Sequence, residues 1–450
     1  MKERIILFII FIGLGVFIYI FQSYFNTVWG LAFLCLLMSV YAFFSTLAYQ
    51  IKKRILKKYP QVVNEDYKPF VTVMIPAHNE EGVIGATVEN ILAMTYGNFE
   101  VIVIDDRSSD NTASVIKDLE KKYDKVTALI RDKDAFPGKS AVLNDAFKLA
   151  KGEAVLVFDA DATVDPDFLD KLVPQLEPKD VGAVQARKVI RNRDYNWLTR
   201  CQSNEYSIDV HCQLSRDSVK GAVELRGNGE LIKRQALEDI GGWNNYTITD
   251  DLDMSTRLHI KGWDVRFCLD AVVYEEAIIY VMPLFRQRRR WLEGTIRRYL
   301  EYSGAALTSK DMSLRASVDM MAYISEFIMP VWCVMEFVIR GFKILAKDAP
   351  THMLYSSIFI SCIIGFGFFT IARYALRRYD NYSRWQAFKE AVVTSIYLLI
   401  LWFPLELFIC FKILFLKKDM KWGKTAHGLI LEEEENIKRE QEKEKSTAEV

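Results

Sequence analysis

The chain has no excess of either charge and no closely paired cysteines, and both absences exclude classes of protein. Its 450 residues carry 58 lysines and arginines against 58 aspartates and glutamates, so the formal net charge is zero. Without a basic excess there is no general attraction for nucleic acid, and nucleic acid is not a predicted partner. The seven cysteines contain no Cys-x-x-Cys pair, which argues against a disulfide framework or a zinc site and predicts reduced thiols.

Long apolar runs, in contrast, are abundant. Hydrophobic residues make up 51% of the chain, and the mean hydropathy is +0.05, which predicts a protein that is partly soluble and partly embedded in a membrane. Residues 5–22 and 29–49 each approach the length of about 20 residues that a spanning helix needs. Five basic residues, between Lys52 and Lys58, follow the second run, so the next domain is predicted to be cytoplasmic.

The composition divides the chain into five predicted segments. These are two N-terminal transmembrane helices (1–50), a cytoplasmic α/β domain (51–282), amphipathic interfacial helices (283–316), C-terminal transmembrane helices (317–416) and a charged tail (417–450). The arginines of 284–308 predict a basic helix on the membrane surface, with an ordinary solvated helix as the alternative. Apolar runs at 319–340, 353–373 and 389–415 place the C-terminus outside, whereas the lysines after 416 place it inside. The expected total is therefore four or five spans, because Pro330 and Pro404 lie within apolar runs and one run is expected to be kinked, re-entrant or interfacial.

Strands and helices alternate between residues 68 and 280. Val71–Ile75, Val101–Ile104 and Ala154–Phe158 have the short apolar runs of buried strands, and 82–95, 110–123 and 140–150 have helical patterns. This alternation predicts a parallel sheet, in which ligands bind at the carboxyl ends of the strands. Each of the three strands ends in polar or acidic residues, so we predict a site at this edge.

Asp159 and Asp161 follow the third strand and are two residues apart, so both side chains can point to the same side. Two close carboxylates repel each other unless a cation lies between them. Mg²⁺ or Mn²⁺ shared with a diphosphate meets this requirement, because such ions take oxygen ligands from protein and substrate together. A loop that uses aspartate for turn chemistry is the alternative.

Asp105 and Asp106 follow the second strand and precede Arg107-Ser108-Ser109-Asp110-Asn111-Thr112, which has the pattern of a turn and helix cap. A cap cluster without a ligand is the alternative to a site. We predict that Asp106 hydrogen-bonds a base or ribose.

Lys139 follows Gly138 and is predicted to reach a phosphate, although the Gly-x-x-x-x-Gly-Lys spacing of a P-loop is absent. An exposed lysine without a ligand is the alternative.

Asp250 and Asp251 follow Thr249. Asp251 is the candidate general base, and Asp250 is predicted to contact the acceptor or the diphosphate. Transfer of a sugar to a hydroxyl needs a base within hydrogen-bond reach of that hydroxyl. A carboxylate in a partly dry and acidic pocket has a raised pKa and is a better base. The alternative is that Thr249 or Asp250 caps the helix that follows, and both roles are compatible.

Gln287, Arg290 and Trp291 are predicted to lie on one helix face, because their spacing is i, i+3 and i+4. An arginine here can neutralise a leaving diphosphate, and a tryptophan can stack on a sugar ring. Contact of these side chains with lipid and headgroups is the alternative.

Together these motifs resemble those of the membrane-integrated family 2 glycosyltransferases, inverting enzymes with a nucleotide-sugar-binding GT-A domain. The resemblance covers about residues 68–300. It implies that Ala77, Glu80 and Asp106 contact the nucleotide, and that Asp159 and Asp161 hold the metal and diphosphate. It further implies that Asp251, in Thr-Asp-Asp where Thr-Glu-Asp is usual, is the base. Gln287, Arg290 and Trp291 would form the Gln-x-x-Arg-Trp motif at the acceptor entrance.

The resemblance implies transfer of a hexosyl unit from UDP-glucose or UDP-N-acetylglucosamine, with Mg²⁺ or Mn²⁺, to a glycan or lipid acceptor. Gln-x-x-Arg-Trp is typical of processive synthases that make poly-N-acetylglucosamine, cellulose, chitin or hyaluronan, and polysaccharide synthesis is predicted first. Glu224–Gly229, Ile248–Asp253 and Arg290–Gly294 also resemble membrane enzymes that glucosylate diacylglycerol, which is the alternative. A small accessory membrane subunit is a further expected partner. The remaining alternative to an enzyme is a transporter or scaffold in which the acidic sites are vestigial.

Overall fold

A sheet of eight strands forms the middle of the chain, and long helices lie on both sides of it in the sequence. The computed structural model describes residues 2–24, 28–58, 64, 66–347 and 352–416. The strands are β1 Val71–Ala77, β2 Phe99–Asp105, β3 Val126–Ile130, β4 Ala154–Val157, β5 Thr163–Val164, β6 Val181–Ile190, β7 Glu230–Lys233 and β8 Asp264–Glu275. The helices are α1 Lys2–Tyr24, α2 Val28–Lys58, α3 Ile84–Leu92, α4 Thr112–Lys122, α5 Lys139–Phe147, α6 Phe168–Leu172, α7 Trp197–Ser218, α8 Arg234–Asp239, α9 Asp250–Ile260, α10 Val281–Thr308, α11 Leu314–Leu345, α12 His352–Tyr379 and α13 Arg384–Phe415.

The sheet is mixed, with strand order β3-β2-β1-β4-β7-β6-β8-β5. β3, β2, β1 and β4 are parallel, as the alternating pattern predicts, and all seven residues of β1 are buried. β7 runs antiparallel to both β4 and β6, so the prediction of a purely parallel sheet is wrong for the second half. This strand brings Glu230 beside the end of β4, where Val157 is its partner.

Helices cover both faces of the sheet. On one face α3, α4 and α6 bury apolar side chains such as Ile84, Ile116 and Phe168 against β1, β2 and β4. On the other face α5, α7, α9, α12 and α13 contribute to a second cluster. Helix α7 begins with a capping box, in which the Asn196 side chain accepts from the Thr199 backbone N–H and the Thr199 hydroxyl accepts from the Asn196 backbone N–H. The second cluster therefore joins the sheet to two of the C-terminal helices.

Four helices among the described residues are long and apolar enough to cross a membrane. They are Glu3–Gln22, Trp29–Lys58, Leu314–Leu345 and Arg384–Phe415. This number lies within the predicted four or five, and the predicted run at 353–373 falls within α12, which is not one of the four. Pro330 and Pro404 lie inside the continuous helices α11 and α13. The predicted charged tail at 417–450 lies outside the described residues.

Helix α10 differs from the basic surface helix that the sequence predicts. Three of its arginines, Arg288, Arg297 and Arg298, are at most 5% exposed. Arg288 pairs with Glu205 at 2.9 Å, and Arg298 pairs with Glu224 at 2.8 Å. A buried charge is tolerated when a partner and hydrogen bonds compensate for its lost hydration. Arg288 and Arg298 therefore dock α10 on the sheet domain instead of facing lipid headgroups, whereas Arg297 pairs with Glu293 of α10 and with Glu3 of α1.

Candidate active site

One cavity of about 2250 Å³ brings most of the predicted site residues together. Its wall includes Glu80, Lys139, Asp159, Asp161, Asp250, Asp251, Gln287, Arg290 and Trp291. The same cavity continues between the helices α2, α11, α12 and α13, where its wall is mostly apolar. Representative side chains there are Phe43 of α2, Phe327 of α11, Phe366 of α12 and Trp402 of α13. A polar chamber at the sheet edge and an apolar chamber between the helices are thus continuous.

Asp159 and Asp161 lie where β4 ends, as the sequence predicts. The Lys139 ammonium donates to Oδ1 of Asp159 at 2.6 Å and to the Gly227 carbonyl at 3.0 Å. Burial works to lower the pKa of Lys139, but the charges of Asp159 and Asp250 hold it above its ordinary value. Lys139 is therefore a charged ammonium at the strand-end carboxylates, where it can meet a phosphate.

The carboxylates at this edge fit a divalent cation that is shared with a substrate. Asp159 keeps 43% of its side chain exposed, and Asp161 is half-buried on the same cavity wall. In the described part of the chain no three His, Cys, Asp or Glu side chains are placed to hold a metal by themselves. Mg²⁺ commonly uses only one or two protein carboxylates and completes its shell with substrate phosphates and water. Two oxygen donors beside an open cavity suit that arrangement.

Asp250 and Asp251 begin α9, so their backbone N–H groups lie at the positive end of this helix. Asp251 Oδ1 accepts a hydrogen bond from the Leu252 backbone at 2.8 Å. Burial, with the neighbouring charge of Asp250, raises the pKa of Asp251 to about 6. Thr249 is the N-cap residue, but its side chain makes no capping bond. A carboxylate with this pKa is ionised at neutral pH and is still basic enough to accept a proton.

Glu230 lies beneath these carboxylates and was missed by the sequence reasoning. Its side chain is fully buried, and neither carboxyl oxygen has a hydrogen-bond partner within the described residues. Burial, followed by Asp250 and Asp251, holds the pKa of Glu230 well above its usual range. The protonated form is thereby favoured, which limits the negative charge that accumulates around Asp251.

Helix α10 packs directly against the segment that carries the candidate base. A β-carbon added at Gly294 of α10 would lie 2.6 Å from the Thr249 hydroxyl oxygen. Since Thr249 immediately precedes Asp250 and Asp251, only glycine lets α10 and the start of α9 approach this closely. The position of Asp251 therefore depends on the absence of a side chain at residue 294.

Gly294→Ala is expected to lower kcat by at least about tenfold, because displacement of a catalytic group by about 1 Å is enough for a loss of this order or more. The matched control is Gly304→Ala on the same helix, where an added β-carbon meets nothing within 4 Å. That control should keep full activity and gain up to about 1 kcal/mol of stability from helix propensity. Turnover and thermal unfolding of both variants test this, and equal activity of the two would contradict the packing argument.

The side chains of Asp105 and Asp106 do not reach the cavity wall. Asp106 is fully buried and binds Arg131 at 2.6 Å and Arg107 at 2.9 Å. Asp105 accepts from the Ser108 backbone at 3.3 Å. Ala77 is 1% exposed and contributes its carbonyl to the Asp106 backbone N–H at 2.8 Å. For Asp106 to contact a nucleotide, its carboxylate would have to give up its bonds to these two arginines. The predicted role of Asp106 in nucleotide binding stays a prediction.

Gln287, Arg290 and Trp291 all line the cavity, as predicted from their spacing on α10. The guanidinium of Arg288, between them in sequence, lies 4.1 Å from the centroid of the Trp291 ring. Arg288 also donates to the Gln287 side-chain oxygen at 2.9 Å. The guanidinium of Arg290 lines the cavity and has no hydrogen bond or ion pair with another residue in the described part of the chain, so its charge is available to a ligand.

A second polar group on the cavity wall was not predicted. Lys188 of β6 binds Glu275 of β8 at 2.8 Å, and the Tyr206 hydroxyl of α7 donates to Glu275 at 3.0 Å. These residues are far apart in sequence and each looks ordinary in its own strand or helix. Only the pairing of β6 with β8 brings Lys188 and Glu275 together on one face of the sheet.

Comparisons with known proteins agree with this geometry. Residues 69–294 match the model of the family described as glycosyltransferase like family 2. A β-monoglucosyldiacylglycerol synthase of Trichormus variabilis is 43% identical over 265 residues, which cover 58% of this chain and 56% of that protein. The matched region therefore spans only a little over half of that relative. A poly-β-1,6-N-acetyl-D-glucosamine synthase of Staphylococcus epidermidis is 28% identical over 338 residues, or 74% of this chain and 79% of that protein.

A solved structure shares the fold. It is a mannosyltransferase from Pyrobaculum calidifontis in complex with GDP-Man and Mn²⁺, with a TM-score of 0.54 and 21% identity. The similarity covers 82% of this chain and 99% of that chain. The sheet domain therefore has the GT-A-like architecture expected from the sequence. Because the matching family region makes up half of the chain, the protein belongs to glycosyltransferase family 2.

Proposed function

We propose that the protein transfers a hexosyl unit, with inversion, from UDP-glucose or UDP-N-acetylglucosamine to the hydroxyl of a membrane lipid of the diacylglycerol class. The observation that carries this proposal is the continuity of the cavity. It places the carboxylates of the sheet edge and the apolar side chains of α2, α11, α12 and α13 around one space. A donor with a diphosphate suits the polar chamber, and an acceptor with acyl chains suits the apolar one.

Asp251 is the proposed base. As the acceptor oxygen attacks the anomeric carbon, its proton passes to the Asp251 carboxylate, and the bond from that carbon to the diphosphate breaks. The Leu252 N–H holds one carboxylate oxygen and leaves the other for the acceptor hydroxyl. Gly227 faces this second oxygen, since a β-carbon there would lie 3.2 Å from Oδ2. The absence of a side chain at 227 keeps the approach to Asp251 open.

The leaving diphosphate is proposed to meet two cationic side chains, Lys139 and Arg290, which both line the cavity. Charged donors that are positioned in advance stabilise developing negative charge without the cost of reorganising water. Asp159 and Asp161 would hold Mg²⁺ or Mn²⁺, which when bound supplies further charge neutralisation at the diphosphate. The solved mannosyltransferase with GDP-Man and Mn²⁺ supports a divalent cation.

Polysaccharide synthesis, which the sequence places first, is the second candidate, and the 28% identity to a poly-N-acetylglucosamine synthase favours it. The apolar wall of the helix chamber and the 43% identity to a glucosyldiacylglycerol synthase favour a lipid. The hydroxyl groups of a polysaccharide need hydrogen-bond partners when they are buried, and acyl chains do not. We therefore place the lipid acceptor first, and an accessory subunit stays a prediction.

The sheet domain is proposed to face the cytoplasm. Helix α2 ends with Lys57 and Lys58, directly before this domain in the sequence. Basic residues beside a span are retained on the cytoplasmic side. The proposed donor, a soluble nucleotide sugar, would then reach the cavity from that side.

Membranes that contain the protein, incubated with radiolabelled UDP-glucose or UDP-N-acetylglucosamine and Mg²⁺ or Mn²⁺, test the acceptor class. Label that partitions into organic solvent and runs as a glycolipid is the expected result. Label in large, water-soluble material would replace the lipid acceptor with a polysaccharide. Membranes without the protein are the control, and absence of label in both phases with every donor would overturn the transferase proposal.

The rate is expected to rise with pH and to level off above the pKa of Asp251, about 6. The sign follows because a base works in its ionised form, which disappears as pH falls through this pKa. Asp250→Asn should move the rising limb to lower pH, because the charge of Asp250 contributes to the raised value. The pH profiles of kcat/KM for the wild type and for Asp250→Asn test this. If the rising part of the profile stays at the same pH in Asp250→Asn, the charge of Asp250 does not raise the pKa of Asp251.

A further inference from the structure

The proposed reaction does not use one polar cluster of the cavity wall, which consists of Lys188, Glu275 and Tyr206. Lys188 and Glu275 are 14% and 12% exposed, and both line the cavity together with Tyr206. Asn228 also donates to Glu275, at 3.0 Å, and Lys188 donates to the Arg226 carbonyl at 3.3 Å. The cluster is thus built into the wall by several hydrogen bonds.

Each charged member retains capacity for one more hydrogen bond. The Lys188 ammonium has three N–H groups, of which Glu275 and the Arg226 carbonyl take two. The Glu275 carboxylate has about four acceptor positions, and Lys188, Asn228 and Tyr206 occupy three of them. One donor of Lys188 and one acceptor position of Glu275 therefore remain, and both residues line the cavity.

The charge of this pair determines which ligand it suits. Burial works to lower the pKa of Lys188, but Glu275 and Tyr206 hold it above its ordinary value, so the ammonium stays charged. Because the ammonium and the carboxylate neutralise each other, the pair has little attraction for an anion such as phosphate. A donor beside an acceptor instead matches the neighbouring hydroxyl groups of a neutral sugar.

Two aromatic rings on the cavity wall lie beside the pair. The Lys188 ammonium lies 5.3 Å from the centroid of the Tyr206 ring and 5.9 Å from that of Trp291. Such rings can cover the C–H face of a pyranose, while the charged pair meets its hydroxyls. The carbonyls of Arg226 and Gly227 accept from Lys188 and Lys139 respectively. One short loop thus separates the pair from the edge proposed to hold the diphosphate.

We infer that Lys188 and Glu275 form the subsite that binds hydroxyl groups of the transferred hexose. This inference rests on the proposed function, since it requires a nucleotide-sugar donor in the cavity. It makes the two residues determinants of donor-sugar binding and not of nucleotide binding. Removal of the pair should weaken the complex with UDP-sugar and leave the complex with UDP itself unchanged.

The experiment compares UDP with UDP-sugar affinity in the full-length protein with Mg²⁺ or Mn²⁺ present. Lys188→Met and the charge-balanced Lys188→Met/Glu275→Gln should raise KM for the UDP-sugar by about 10- to 100-fold, the loss expected for charged hydrogen bonds. The Kd for UDP, measured by calorimetry, should stay within about twofold. Lys121→Met, an exposed lysine paired with Asp118 on α4, is the matched control and should behave as wild type.

Three outcomes overturn the inference. An equal loss of UDP and UDP-sugar affinity would place Lys188 at the nucleotide, and a raised KM for the acceptor alone would place it on the acceptor side. Unchanged constants would make the pair structural. If the neutral variants unfold, Lys188→Arg keeps the charge beside Glu275 and must show the same loss of UDP-sugar affinity. Wild type that turns over no UDP-sugar would instead overturn the proposed function.

Discussion

Asp251→Asn is expected to lower kcat by about 10²- to 10⁴-fold, the range that a positioned general base contributes. The amide has nearly the same shape but cannot take the proton of the attacking hydroxyl. Its oxygen can still accept the Leu252 N–H, so the start of α9 should stay folded. Measured turnover, together with the Kd for UDP, separates loss of the base from loss of the donor site.

The matched control for this variant is Asp239→Asn. Asp239 is an exposed carboxylate at the end of α8 and lies 3.8 Å from Lys261. It does not line the cavity, so its amide should turn over at the wild-type rate. The assignment of the base fails if Asp251→Asn retains more than about a tenth of wild-type kcat, since that is far above what remains without a general base.

The parts of the site that local sequence could predict are those that end a strand or share a helix face. Asp159 and Asp161 reach the cavity because the run before them forms β4, and a strand ends at a definite edge of the sheet. Gln287, Arg290 and Trp291 reach it because helical spacing fixes their common face. The fold class was predictable for the same reason, since β1, β2 and β4 carry near-continuous apolar runs.

The parts that were missed depend on partners distant in the sequence. Arg131, 25 residues after Asp106, pairs with its carboxylate, and no local pattern in the sequence indicates this pair. The nucleotide contact of Asp106 stays a prediction. The arginines of α10 were expected at lipid headgroups, but Arg288 and Arg298 find Glu205 and Glu224. β7 has only four residues, too few for a periodic pattern, so its antiparallel insertion and the buried Glu230 carry no local signal.

Removal of divalent cations with a chelator is expected to abolish turnover, and added Mg²⁺ or Mn²⁺ is expected to restore it. The chain supplies Asp159 and Asp161 but no complete set of metal ligands among its described residues. Asp159 and Asp161 both line the cavity, so a change at either carboxylate should weaken the interaction with the cation. Without the cation, Lys139 and Arg290 alone would have to neutralise a leaving diphosphate.

Asp161→Asn should therefore lower kcat/KM by about 10²-fold or more, because neutralisation of the leaving group contributes several kcal/mol to the transition state. It should also raise the Mg²⁺ or Mn²⁺ concentration that gives half-maximal activity. Asp167→Asn is the control, since this carboxylate pairs with Lys171 at 2.7 Å on the exposed surface. Full activity in chelator would show that Lys139 and Arg290 suffice, and an unchanged metal requirement in Asp161→Asn would assign the cation to other residues.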